Sequence, residues 1–146
     1  MRLFILAAAI AVAIGAVPAA VAGPPQSVTF TVAEQFDPPS GVFTSDGSVV
    51  CAKGTTSNLT FASGFQSDRG LIFHVRKTIT CDDGSGTFIL QLQARLGFNV
   101  GDLTFGPWVV LSGTGRYTNL NGRGTVTGTQ TAGGVTDLYV GWLALR

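Results

Sequence analysis

His74 is the only imidazole in the chain, and it is the first residue to test for acid–base chemistry at neutral pH. As the base of a hydrolytic triad it would need a nucleophile and a positioned carboxylate. No Gly-x-Ser-x-Gly elbow is present, and Gly84-Ser85-Gly86 is too short to stand for one. His74 also shares strand parity with Arg76, Thr78 and Thr80, opposite Phe73 and Val75, which predicts a solvent-facing side chain. Glu34, Asp37, Asp68 and Asp137 are the carboxylates from which a glycosidase-like pair would be assembled, but no spacing singles out two of them. Asp82 and Asp83 lack the spaced acidic ligands and closing Glu of a Ca²⁺ loop, so Asp82-Asp83-Gly84 reads as a turn. Gly113-Thr114-Gly115 follows no dinucleotide-binding pattern and opens no helix. These residues imply neither a metal nor a cofactor, and they leave the chain leaning away from an enzyme.

Aromatic residues are the better lead. Phe98, Phe105, Trp108, Tyr117 and Trp142 fall in or beside loops and strand ends, where they would stack on a sugar or enclose an apolar ligand. The competing expectation is that they fill and cap the protein's own core. Cys51 and Cys81 are the only cysteines. With a single His they fall short of a zinc ligand set, so they are expected to pair as a disulfide in an oxidising compartment. The bond would close a loop of roughly 30 residues and contribute on the order of 3 kcal/mol.

The elements that must position these residues are strands. Ser27 to Val32 alternates apolar and hydroxyl side chains, and the prolines at 38 and 39 then interrupt regular structure. A hairpin is expected from Val42 to Ala52 around Asp46-Gly47, with Lys53 to Ser57 a loop, Asn58 to Ala62 a short strand and Ser63 to Gly70 a polar loop. Leu71 to Cys81 and Thr87 to Leu96 carry the clearest period-two signal; Lys77 alone breaks the apolar face of the first. Gly97 to Pro107 reads as irregular. Trp108 to Leu111 and Thr125 to Thr129 flank a glycine-rich corner, and Thr136 to Leu145 is a last strand apolar on both faces. No segment after residue 22 has a helical period. The pattern is all-β, with eight to nine strands in a sandwich or a barrel.

Arg2, the apolar run from Leu3 to Val17 and the Ala20-Val21-Ala22 motif form a signal peptide expected to be cleaved after Ala22, leaving one domain from 23 to 146. The apolar run is too short for a membrane span. Cleavage removes Arg2 and brings the formal +1 charge to neutral; with 12% charged residues there is no basic patch, which argues against nucleic acid as a partner. The expected location is secreted or cell-envelope.

Ser112-Gly113-Thr114-Gly115-Arg116-Tyr117, followed by Leu120, Gly122, Gly124 and Thr125, resembles the glycine signature of the allene oxide cyclase and dirigent-like barrels. The segments Ser85 to Phe88 and Asp137 to Gly141 are similar to small secreted bacterial proteins of that type. The likeness covers about the last half of the chain, with Ser112 where the signature has Gly. It implies an eight-stranded antiparallel barrel, closed and with an apolar cavity. Characterised relatives cyclise a fatty-acid epoxide or steer the coupling of phenolics, but no motif transfers their polar residues to positions here. The expectation is a cofactor-free binding or structural module for a small apolar or phenolic ligand. The alternatives are a cofactor-free isomerase or cyclase, and a self-associating envelope protein that forms homo-oligomers through its last strand.

Overall fold

The computed structural model describes residues 23–67, 70–96 and 103–146, so the expected leader, Asp68 and Phe98 lie outside the described residues. Eight strands follow one another: β1 (Gln26–Phe36), β2 (Pro39–Ser45), β3 (Lys53–Ser67), β4 (Gly70–Cys81), β5 (Thr87–Leu96), β6 (Leu103–Gly113), β7 (Leu120–Gln130) and β8 (Gly134–Leu145). Each pairs antiparallel with the next, and β8 returns to β1 from Gln26 opposite Leu143 to Gln35 opposite Gly134. The sheet therefore closes into a barrel rather than splitting into a sandwich, and among the described residues no strand is left as a free edge.

Alternation puts the core inside the barrel. Val28, Phe30 and Val32 of β1 point inward, as do Val75 and Ile79 of β4 and Phe88, Leu90 and Leu92 of β5. Rings fill the middle: Phe30 stacks on Tyr139 at 4.6 Å, Trp108 meets Phe30 edge-on at 5.5 Å, and Phe88 meets Tyr117 at 5.4 Å. Trp108 fits because Gly124 and Gly141 face each other across β7 and β8. A Cβ on either would come within 2.8 Å of the indole. Those two glycines are a slot for a large ring and not turn residues.

Several expected boundaries move. Ser48 to Ala52 is a connection, and its apolar residues Val49 and Val50 are buried as a plug in one end of the barrel. Lys53 to Ser57 is strand rather than loop, β3 runs on to Ser67, and Leu103 to Pro107 belongs to β6. The β6 error has a physical cause. Thr104 is buried there while Leu103 and Phe105 are exposed, so the usual apolar-in alternation is inverted. Among the described residues, no helix is long and apolar enough to cross a membrane.

Candidate functional site

The barrel has two ends. The first carries the start of β1, the end of β8 and the β2–β3, β4–β5 and β6–β7 connections. Cys51 and Cys81 form a buried disulfide there, tying the β2–β3 connection to the end of β4. Tyr117, in a single 3-10 turn (Gly115–Tyr117), is wholly buried beside it. Its hydroxyl accepts the Cys51 N–H at 3.0 Å and shares a hydrogen bond with Ser85 Oγ at 2.9 Å. The Asp82-Asp83 segment is the turn expected: Ser85 N–H donates to Asp83 Oδ1, and the Ser85 hydrogen bonds hold the exposed Asp83 carboxyl below its ordinary range.

At the opposite end the described residues leave an opening. A cavity of about 490 Å³ enters the lumen there, walled by Phe73 and Val75 of β4, Leu92 and Ala94 of β5 and Val135 of β8, with Phe36 and Pro39 at its rim. Its inner end is charged. Glu34 of β1, Lys77 of β4 and Asp137 of β8 line the cavity and are all buried. Lys77 Nζ lies 3.0 Å from Glu34 Oε2 and 3.9 Å from Asp137 Oδ2, and it stands 5.6 Å from the centre of the Tyr139 ring, which belongs to the aromatic core below.

Two cross-strand rows hold the carboxylates. Glu34 faces Gly41 on β2, and Gly41 faces Thr56 on β3. Thr104 of β6 faces Gly128 on β7, and Gly128 faces Asp137. In each row the central residue lacks a side chain, so the threonine hydroxyl reaches past a whole strand. Thr56 Oγ1 donates to Glu34 Oε1 at 3.1 Å, and Thr104 Oγ1 donates to Asp137 Oδ1 at 3.0 Å. A Cβ at Gly41 would collide with Thr56 Oγ1, and one at Gly128 with Asp137 Oδ1. Glycine inside a strand weakens it, and buried ions cost several kcal/mol each to desolvate, so both rows carry a stability cost.

The electrostatics follow from the count of two carboxylates to one ammonium. Burial raises the Asp137 pKa above the ordinary aspartate range; Lys77 and the Thr104 hydrogen bond pull it back, and the Glu34 charge raises it further. The Tyr139 hydroxyl is buried without a partner among the described residues, and burial followed by the Asp137 and Glu34 charges pushes its pKa well above the ordinary phenol value. Asp137 can therefore hold or release a proton at the inner end of an apolar cavity, while Tyr139 stays a neutral donor.

The residues expected from sequence are dispersed. Trp108 and Tyr117 are core, as the competing expectation had it. Phe105 projects outward, with the Arg95 guanidinium 5.9 Å from its ring centre, and Trp142 is half-buried with Arg123 over its ring at 5.9 Å. None of these four lines the cavity. His74 and Arg76 face solvent, as does Asp37. Of the four carboxylates considered, barrel closure brings Glu34 and Asp137 together. Lys77, the exception on an otherwise apolar strand face, is the signal from which a buried carboxylate partner could have been sought.

Fold and site together define a closed meander barrel in which the described residues form an apolar mouth with a charged inner end. Comparison with protein-family models, with curated proteins and with solved structures finds no match to the chain.

Proposed function

We propose that this chain is an exported binding protein that takes a small, largely apolar or phenolic molecule through the open end of the barrel. One observation carries the reading: an apolar cavity of about 490 Å³ ends on three buried charges held in place by two glycine-spaced rows. A barrel that needed only to be filled would place apolar or aromatic side chains there, as this one does in its middle. The volume falls in the range of small-molecule sites. The buried disulfide supports an extracytoplasmic address, and the resemblance to the allene oxide cyclase and dirigent-like barrels supports a lumen that receives ligands.

A second reading, a cofactor-free isomerase or cyclase, draws on the raised pKa of Asp137, since a carboxyl that titrates nearer neutrality is a better proton carrier than an ordinary one. Binding comes first in both readings. The test is displacement of an environment-sensitive apolar dye from the native protein and from Val135→Trp, which fills the mouth. Dye uptake by the native protein that Val135→Trp abolishes, with the fold kept by circular dichroism, supports a ligand site; equal uptake by both contradicts it.

A further inference from the structure

The open cavity is not electrically balanced, and the imbalance specifies a headgroup. Lys77 is committed to Glu34 at 3.0 Å, and Glu34 is completed by Thr56. Asp137 is left half-served. Its Oδ1 takes the Thr104 hydroxyl, while among the described residues its Oδ2 has only Lys77, at 3.9 Å, beyond hydrogen-bond length. With all three groups ionised the described residues leave the lumen one excess negative charge, and Asp137 is one of the residues that line the cavity. A bound anion would add a third negative charge to a water-poor space. A neutral ligand, a phenol included, would at most donate a hydrogen bond to Oδ2 and leave the charge unbalanced.

We infer that the ligand carries a protonated amine which pairs with Asp137 Oδ2, its apolar body lying against Leu92, Ala94 and Val135. This rests on the cavity being a ligand site and goes beyond it by fixing the chemical class of the headgroup. An ammonium donor completes the second oxygen of Asp137 and turns a lone pair of opposite charges plus one into a balanced set of four. The burial that raises the Asp137 pKa would be offset by the incoming cation.

The experiment compares three indole probes that share a body and differ in headgroup: tryptamine, tryptophol and indole-3-acetate, each titrated by calorimetry into native protein and Asp137→Asn. Tryptamine is expected to bind about tenfold or more tighter than tryptophol, with indole-3-acetate weakest. Asp137→Asn, which keeps an acceptor for Thr104, should erase the amine preference and leave tryptophol within a few-fold. Tryptophol or indole-3-acetate binding as well as tryptamine overturns the headgroup while leaving the cavity a ligand site. No binding by any probe, together with dye uptake that Val135→Trp leaves unchanged, overturns both. If Asp137→Asn folds poorly, the amine-to-alcohol ratio of the native protein decides the question by itself.

Discussion

At the disulfide end of the barrel the buried Tyr117 hydroxyl is answered by Cys51 and Ser85, and Val49 and Val50 plug what the rings leave open. At the opposite end Lys77, Glu34 and Asp137 are buried at comparable depth, yet among the described residues Asp137 keeps an oxygen without a close donor and a cavity lies alongside. The same strands run through both ends, so the difference does not come from the fold. It comes from which inward positions carry apolar side chains and which carry charge. A satisfied polar network fixes structure, whereas an incompletely satisfied one beside empty space is arranged for something that arrives.

Substitutions at the two ends should therefore behave differently. The largest effect is expected from Lys77→Met, which leaves two carboxylates in the lumen without their cation. About 3–5 kcal/mol should be lost at neutral pH by urea denaturation, with part recovered in acid as the carboxylates protonate. Removing the disulfide in a Cys51→Ala, Cys81→Ala double variant should cost about 2–4 kcal/mol and leave dye or ligand affinity at the far end unchanged. Loss of binding in that variant would show the ends to be coupled. Tyr117→Phe leaves the Cys51 N–H and Ser85 short of a partner and should cost about 1–3 kcal/mol, again without touching binding.

The smallest effect, and the most telling, is expected from Asp137→Asn. The folded protein holds the Asp137 proton more tightly than the unfolded chain does, because burial raises the pKa. Stability attributable to this residue is thus highest in acid and falls as pH rises from the ordinary aspartate range through the raised folded value. Above that value its charge is a standing cost. Asp137→Asn should remove the slope and be at least as stable as the native protein at neutral pH. A clear loss at pH 7 would mean that Asp137 is a structural partner of Lys77 and not a group held in reserve.

Much of the fold was legible because it rests on local pattern. Period-two alternation in β4 and β5, the glycine corner after β6 and the cysteine pair each announce themselves within a few residues or by count. The site was not legible in the same way. Glu34 and Asp137 meet only because β8 closes on β1, and Gly41 and Gly128 matter only in the register that sets each between a carboxylate and a threonine. Where the lumen turns polar the inward positions are taken by Thr56 and Thr104, so the two segments that supply the threonines read as loop or irregular. Aromatics drew attention as binding residues, but a small barrel needs large rings to fill its middle, and Trp108 and Tyr117 do that. Lys77 on an apolar face was the visible trace of the site, and only closure explains it.

Native mass spectrometry of the protein purified from its own host tests the central claim most directly. The account predicts a barrel that retains a small molecule, released by Val135→Trp and carrying a basic nitrogen when identified by fragmentation. A protein that arrives with an empty lumen and binds no apolar molecule when challenged would contradict it.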